Sequence, residues 1–158
     1  MSALLILAVL GVVWYVTTQG GQDFDPVDDG MQHDDNYPAY VIEFSQAISV
    51  AEGWGQPGAI PTVRNNPGDI ADANGIITFP SQLDGWAALH RQVEKMFDGT
   101  SKYYNPTMTI SEIAAKYTAT EQTAWASNVA AQLGFGFTPD STLNEIASFF
   151  MDGGASSA

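Results

Sequence analysis

The chain begins with an apolar run that sets its first residues apart from the rest of the fold. Residues 1–18 carry no charged side chain, and the stretch from Ala3 to Val16 is almost continuously apolar. A membrane-spanning helix needs roughly 17–25 such residues, so the run with its uncharged flanks is long enough for one. Trp14 and Tyr15 near its end suit the aromatic belt of a membrane interface. We therefore predict a single-pass, uncleaved transmembrane anchor over residues 1–18.

A cleavable secretory signal is the main alternative for this run. Such a signal normally begins with basic residues and ends at a cleavage site flanked by small residues. No Lys or Arg precedes the apolar run, and no such cleavage site is evident around residues 16–19. The orientation of an anchor stays open, because the first basic residue of the chain is Arg64 and the positive-inside rule therefore has nothing to act on.

Residues 19–37 form a different kind of segment, rich in Gly, Asp, Asn, Gln and Pro. Its six aspartates are Asp23, Asp25, Asp28, Asp29, Asp34 and Asp35. Like charges at this density keep a chain extended and solvated, so we predict an acidic flexible linker. A calcium loop of the EF-hand type is rejected, because Val27 and Asn36 occupy positions where that motif requires an oxygen ligand and a glutamate.

Residues 38–152 are enough for one compact domain with a hydrophobic core, and residues 153–158 are predicted to be a disordered tail. The chain has no cysteine, so neither a disulfide nor a thiolate zinc site is possible. No spacing of His or carboxylate residues suggests a metal, and we predict no cofactor. Five basic residues against eighteen acidic ones give a net charge of -13, which argues against binding to nucleic acid.

Periodicity and capping patterns predict a mainly helical domain with one hairpin. A helix-like run starts near Val41 and ends at Gly53, and another helix spans Glu121 to Leu133. Capping pairs open three more helices, at Ser81 with Asp84, at Thr109 with Glu112, and at Thr142 with Glu145. Asn74-Gly75 is a favoured two-residue turn, followed by a β-prone strand over 76–79. Helices around one small hairpin make an α+β domain.

Glu52 is the leading candidate for a functional residue. Phe44, Ile48 and Glu52 are spaced four residues apart, so a helix places all three on one face, which is apolar apart from the carboxyl group. Desolvation and the negative end of the helix dipole would both raise the pKa of Glu52. An acid that stays protonated near neutral pH can protonate a glycosidic oxygen. The ordinary alternative is a solvated glutamate at a helix end.

Three segments carry a more specific pattern. They are Ala51-Glu52-Gly53, the loop Arg64-Asn65-Asn66-Pro67-Gly68-Asp69-Ile70, and Phe79-Pro80-Ser81 leading into Gly85-Trp86-Ala87-Ala88-Leu89. Together they resemble the lysozyme-like, lytic-transglycosylase-like domains of bacteriophage particles, over roughly Tyr37 to Phe150. The resemblance implies a lysozyme-like domain that cleaves the β-1,4 bond between N-acetylmuramic acid and N-acetylglucosamine in peptidoglycan. It also implies that Glu52 is the catalytic acid and that Arg64 to Gly68 line the cleft.

Substrate-binding roles are predicted for five residues, each with a structural alternative. Arg64 belongs to the cleft-lining loop implied by the resemblance. Asn65 and Asn66 could hydrogen-bond N-acetyl groups or form an Asx turn before the proline. Trp54 and Tyr117 could stack on sugar rings, although a core position needs no further explanation and is favoured for Tyr117.

The type of chemistry depends on a second carboxylate. A retaining hydrolase holds it about 5–5.5 Å from the acid, and an inverting hydrolase about 6.5–9.5 Å away. Asp69 and Asp72 are the candidates, with Asp84 already used in a helix cap, and no spacing in the sequence singles one out. A lytic transglycosylase needs no such partner, because the acetamido group of the substrate can assist. The sequence therefore favours a transglycosylase over a hydrolase.

The resulting hypothesis is a membrane-anchored peptidoglycan lytic enzyme. A lytic transglycosylase is the preferred class, and a lysozyme is the second. We expect it on the internal membrane of a phage particle, where it would act at cell entry. Its expected partners are glycan strands, a membrane and other virion proteins. The alternatives are a non-catalytic lysozyme-like protein that binds the wall or builds the virion, and a bacterial envelope enzyme that remodels the wall.

Overall fold

A computed structural model of the chain describes residues 8–9, 12–13 and 37–154. The chain divides into two compact units, Met1–Met31 and Gln32–Ala158. In the first unit, β1 (Ala8–Val9) pairs antiparallel with β2 (Val12–Val13). Most of the predicted anchor, nearly all of the predicted linker and the end of the predicted tail lie outside the described residues, so these assignments stay predictions. Within the described ranges, no helix has the length and apolar character needed to span a membrane.

The described part of the second unit is mainly helical, with one small antiparallel sheet. Its elements in chain order are α1 (Ala39–Ala51), α2 (Ile60–Val63), β3 (Ala71–Asp72), β4 (Gly75–Ile76), α3 (Gln82–Asp98), α4 (Ile110–Tyr117), α5 (Gln122–Leu133) and α6 (Leu143–Met151). This confirms the predicted mainly helical α+β composition. The short helix α2 was not predicted, because its Ile-Pro-Thr-Val sequence is too short to show a period.

Local sequence signals set the ends of these helices as predicted. The Ser81 hydroxyl accepts the backbone N–H of Asp84 at 3.2 Å, and α3 stops at Gly99, which has a left-handed φ of 75°. Thr109 and Thr142 each form a complete capping box with the glutamate three residues later. The three predicted capping pairs are therefore confirmed.

The hairpin turns one residue earlier than predicted. Asp72 pairs with Gly75, so the two-residue turn is Ala73-Asn74 and not Asn74-Gly75. The reason is an Asx turn, in which the Asp72 carboxylate accepts the backbone N–H of Asn74 at 2.7 Å. Gly75 then adopts a φ of 111° immediately after the reversal. The return strand has two residues and does not extend over 76–79.

The core lies where α1 packs against α3, α5 and α6, and where α4 packs against α5. Its largest fully buried apolar side chains are Phe44, Ile48, Leu89, Met96, Ile110, Ile113, Leu143 and Ile146. Burial of one such side chain contributes about 1.5–3 kcal/mol to folding. Phe44 and Ile48 belong to the apolar face of α1 that leads toward Glu52, so the core fixes the direction of that helix end.

Two glycines let the loop over residues 64–68 lie directly against α3. A Cβ atom at Gly85 would stand 1.8 Å from the carbonyl oxygen of Asn65, and one at Gly68 would stand 2.6 Å from Cδ1 of Leu89. Both distances are shorter than real Cβ contacts. The clash at Gly85 is with backbone, so only glycine fits there, whereas a side chain at Gly68 would require the Leu89 side chain to move. The loop is thereby fixed between α3 and the hairpin.

Candidate active site

Glu52 occupies the C-terminal cap of α1 and directs its carboxyl group at α5. Its backbone N–H still bonds to the carbonyl oxygen of Ile48 at 2.9 Å, and Gly53 then ends the helix with a φ of 82°. The Oε1 atom of Glu52 accepts a hydrogen bond from Nε1–H of Trp125 at 2.7 Å. Both the backbone and the carboxyl group of Glu52 are therefore held in place.

The pKa of Glu52 is raised above its ordinary value, chiefly because burial desolvates the carboxyl group. The hydrogen bond from Trp125 opposes the increase, since it stabilises the carboxylate. The charge of Asp69 adds to the increase. The direction expected from the apolar face of the helix is thus observed, and a second acidic residue contributes to it.

Asp69 has three properties that are unusual for a surface loop residue. Its φ of 47° lies in the left-handed region. Its Oδ1 atom is buried and has no hydrogen-bond partner among the described residues. Its pKa is raised by burial, against the opposing charge of Arg64. Unpaired buried carboxylate oxygens and left-handed non-glycine residues destabilise a fold. They occur most often at functional sites, where the function requires them.

The two candidates for a second carboxylate therefore differ. Asp69 is close enough to Glu52 to raise its pKa. Asp72 is exposed at the end of β3, where its carboxylate forms the Asx turn with Asn74. The structure thus brings Asp69 to Glu52 and gives Asp72 a local role in the hairpin.

Asn66 fastens the loop to the hairpin from inside the protein. Its side chain is fully buried, and Nδ2 donates to the carbonyl oxygens of Ile70 and Ile77, both at 2.9 Å. Its Oδ1 accepts the backbone N–H of Ile70 at 2.9 Å. Both N–H donors and the carbonyl oxygen of the amide are used within the protein, which supports the structural alternative for Asn66.

Asn65 and Arg64 also fix the loop. Asn65 has a φ of 52°, and its Nδ2 donates to the carbonyl oxygen of Phe79 at 3.2 Å. Nη1 of Arg64 donates to the carbonyl oxygen of Ile76 in β4 at 2.6 Å. Burial raises the pKa of Asp69, and the Arg64 charge opposes that rise. These two residues, for which substrate contacts were predicted, make contacts that position the loop.

Tyr117 links the loop to the Glu52 carboxyl group. Its hydroxyl donates to the carbonyl oxygen of Gly68 at 2.5 Å, and its ring stacks on that of Trp125 with centroids 5.0 Å apart. Burial raises the pKa of the Tyr117 phenol well above its ordinary value, and the charge of Glu52 contributes. Tyr117 therefore stays protonated and serves as a hydrogen-bond donor.

Trp54, for which a substrate contact was predicted, packs against an aromatic residue of α3. Its ring packs edge-on against Trp86, with centroids 5.9 Å apart and an interplanar angle of 82°. Trp86 in turn packs against His90 at 5.6 Å. Trp54 thus belongs to an aromatic cluster at the side of α3, and it does not line the cleft described next.

A cleft of about 660 Å³ opens beside Asp69 and Tyr117. This volume lies in the usual range of ligand sites, roughly 300–1,000 Å³. Its other lining residues are Gly68 and Ile70 of the loop, Ala71 of β3, Ile77 and Phe79 after the hairpin, Ala88, Arg91, Gln92 and Lys95 of α3, Ser101, Tyr103 and Tyr104 before α4, and Lys116 of α4. Glu52 does not line this cleft. Its carboxyl group interacts electrostatically with two residues that do line the cleft, Asp69 and Tyr117.

Several residues of the site were not predicted from the sequence. Trp125 lies 73 positions from Glu52, and no local pattern indicates that the two meet. Tyr103 is 62% exposed while lining the cleft, and Tyr104 is next to it. A pair of tyrosines in a polar segment between two helices is the signal that could have identified them.

Comparisons with known proteins give no match for this chain, whether against family models, curated proteins or solved structures. Within the described residues, no group of three or more His, Cys, Asp or Glu residues is arranged to hold a metal ion.

Proposed function

We propose that the chain cleaves the β-1,4 bond of peptidoglycan glycan strands, with Glu52 as the general acid. One observation carries the proposal: a partly buried carboxyl group with a raised pKa is oriented by Trp125 beside a second carboxyl group, that of Asp69. Glycoside hydrolysis typically uses two carboxyl groups, one of which has a raised pKa and acts as the acid. Peptidoglycan as the substrate comes from the sequence resemblance.

In the proposed reaction, protonated Glu52 gives its proton to the bridging oxygen as the bond from that oxygen to the anomeric carbon breaks. The leaving sugar departs with a neutral hydroxyl group, and positive charge develops on the other ring. The Asp69 carboxylate stabilises that charge. Water then adds to the anomeric carbon, and the Glu52 carboxylate takes up its proton, which restores the starting state.

Asp69 favours hydrolysis over lytic transglycosylation. The expectation of a transglycosylase depended on the lack of a convincing second carboxylate in the sequence. Asp69 is a candidate for that group, since its charge acts on Glu52 and its Oδ1 has no partner among the described residues. Asp69 lines the cleft, so its negative charge can stabilise a cationic transition state there. We therefore place a lysozyme-type hydrolase first and a transglycosylase second.

The cleft suits a carbohydrate in its composition. Phe79, Tyr103, Tyr104 and Tyr117 bring aromatic rings to it, and Gln92 and the tyrosine hydroxyls add polar groups. Sugar rings present apolar C–H faces and hydroxyl edges, so a lining of this kind can bind both. Tyr103, whose ring is mostly exposed, is the best placed for stacking on a sugar.

A binding module without catalysis is the second candidate, and one observation favours it. Glu52 does not line the cleft, so a glycan could occupy the cleft without touching the acid. Such a protein would bind the wall or form part of the virion. The placement of the protein on the internal membrane of a phage particle, or in a bacterial envelope, remains part of the proposal and comes from the sequence alone.

A zymogram with purified peptidoglycan tests the proposal. The full-length chain, the Glu52→Gln variant and the Glu43→Gln variant would be compared. Glu43 is a matched control, because it is an exposed glutamate on the same helix, nine residues earlier. We expect clearing by the wild type and by Glu43→Gln, and none by Glu52→Gln. Clearing by all three would reject Glu52 as the acid, and clearing by none, with all three folded, would favour the binding module.

A further inference from the structure

The basic side chains of this acidic protein are concentrated at one place. The whole chain has five Lys and Arg residues against eighteen Asp and Glu residues. Three of the five, Arg91, Lys95 and Lys116, line the cleft. Among the lining residues that the structure describes, only Asp69 is acidic, so this described lining carries a formal charge of three positive minus one negative, or +2. The chain as a whole carries -13.

The other two basic residues adjoin the same cleft. Lys102 stands between the lining residues Ser101 and Tyr103, and its Nζ lies 5.2 Å from the centroid of the Tyr103 ring. Arg64 acts electrostatically on Asp69. A chain that used its few cations only to offset acidic neighbours would have them distributed over its surface. Their concentration at one cleft indicates attraction of an anionic ligand there.

The three lining cations come from two helices. Arg91 and Lys95 are four residues apart on α3, on the face that also brings Ala88 to the cleft, and Lys116 belongs to α4. Hydrogen bonds from Thr100 are the main reason that the pKa of Asp98 is lowered, and the charge of Lys95 adds to this, so part of the Lys95 charge is directed at that exposed carboxylate. Arg91 offers the planar fork that binds carboxylates bidentately, and the lysines act as mobile point charges.

We propose that this part of the cleft binds the carboxylates of the peptide stems that hang from peptidoglycan glycan strands. The inference rests on the proposed function, because it assumes that a glycan strand occupies the cleft. Each peptide stem carries several free carboxylates that extend away from the sugar, whereas a strand stripped of its stems keeps only the single lactyl carboxylate of each muramic acid, close to the ring. Strands that bear stems are therefore preferred over strands without them, and Arg91 and Lys95 determine that preference.

The test measures binding to two soluble glycan preparations, one with its stems intact and one from which an amidase has removed them. Full-length Glu52→Gln protein is used so that strands are not cut. We expect about tenfold tighter binding to stem-bearing strands, a factor that two or three partly exposed charge pairs can supply. Added salt should remove the difference, because such pairs are screened.

Two variants in the Glu52→Gln background locate the effect. Arg91→Gln with Lys95→Gln should bring the affinity for stem-bearing strands to within about twofold of that for stripped strands, with little change for the latter. The matched control is Asn128→Asp with Gln132→Glu, which makes the same change in net charge on an exposed face of α5 outside the cleft lining. It should keep the preference. Circular dichroism checks that each variant is folded.

The outcomes separate this inference from the proposed function. Equal affinity for the two preparations would overturn the stem-binding proposal, and cleavage of both by the wild type would leave the proposed function in place. Equal loss of the preference in both double variants would also overturn it, since net charge alone would then explain the result. Failure of folded protein to bind or cleave either preparation would overturn both proposals.

Discussion

The indole N–H of Trp125 and the carboxyl group of Glu52 form a 2.7 Å hydrogen bond between residues 73 positions apart. The bond joins the end of α1 to the buried face of α5. Because it stabilises the carboxylate, it limits the rise in the pKa of Glu52 that burial causes. The same side chain therefore orients the acid and adjusts its strength.

Replacement of Trp125 by phenylalanine should move the alkaline limb of the pH–rate profile to higher pH. The change removes the donor and keeps an aromatic ring against Tyr117. Without the bond, the pKa of Glu52 rises further, and the protonated acid persists to higher pH. The smaller ring should cost about 1–3 kcal/mol of stability. Measurement of kcat/KM against pH checks this, with Trp86→Phe as a buried control that leaves Glu52 untouched. An unchanged or acid-shifted limb would contradict the role of Trp125.

Replacement of Asp69 by asparagine should shift the same limb in the opposite direction. Asparagine tolerates the left-handed backbone at this position, so the loop should keep its shape. Loss of the Asp69 charge removes one cause of the raised pKa of Glu52, which then falls. We also expect cleavage to slow by about 10²–10³-fold, the usual effect of removing one group that stabilises charge in the transition state. Asp72→Asn is the matched control and should leave rate and profile unchanged. Equal effects of the two variants would show that Asp69 has no special role.

The raised pKa of Glu52 also affects stability. The folded state holds the proton to higher pH than the unfolded chain, whose ordinary value is 4.5. Stability contributed by the protonated form is thus present below that value and is lost as pH rises through the folded-state pKa. Glu52→Gln keeps an oxygen for Trp125 and does not ionise, so it should be more stable than the wild type at neutral pH and about equal to it in acid. Urea midpoints at the two pH values would show this. A variant less stable than the wild type at neutral pH would disagree with a desolvated carboxylate.

Asn66→Asp should destabilise the protein without any ligand being involved. The Nδ2 atom that donates to Ile70 and Ile77 becomes an oxygen that faces two carbonyl oxygens. Burial of an unpaired acceptor or charge of this kind costs about 2–4 kcal/mol. Chemical denaturation would measure the loss, with Asn65→Asp, at a partly exposed neighbour, as the milder comparison. A loss below that of Asn65→Asp would mean that the buried network matters little.

The sequence predicted the parts of this structure that depend on neighbours along the chain. Thr109, Thr142 and Ser81 start helices because each side chain satisfies a backbone N–H three residues later. Glu52 was predicted as the candidate acid because spacing alone places it after Phe44 and Ile48 on an apolar face. The hairpin turn was predicted one residue too late, since the Asx turn of Asp72 competed with the Asn-Gly pair.

The remaining parts of the site depend on contacts between residues far apart in the chain. Trp125 meets Glu52 only because α1 and α5 pack together. The choice between Asp69 and Asp72 requires knowing which carboxylate the loop turns inward. The cluster of cations requires α3 and α4 to face one cleft. Periodicity shows which face of a helix is buried, but it does not show which other helix covers that face.

The most direct test of the account is the identification of the products released from purified peptidoglycan by mass spectrometry. Wild type, Glu52→Gln and Glu43→Gln would be compared under the same conditions. We expect fragments cut between N-acetylmuramic acid and N-acetylglucosamine with reducing ends, from the wild type and Glu43→Gln only. Products ending in 1,6-anhydro-muramic acid would keep Glu52 as the acid and reject Asp69 as the second carboxylate. Undiminished release of these products by Glu52→Gln would contradict the role of Glu52 as the general acid.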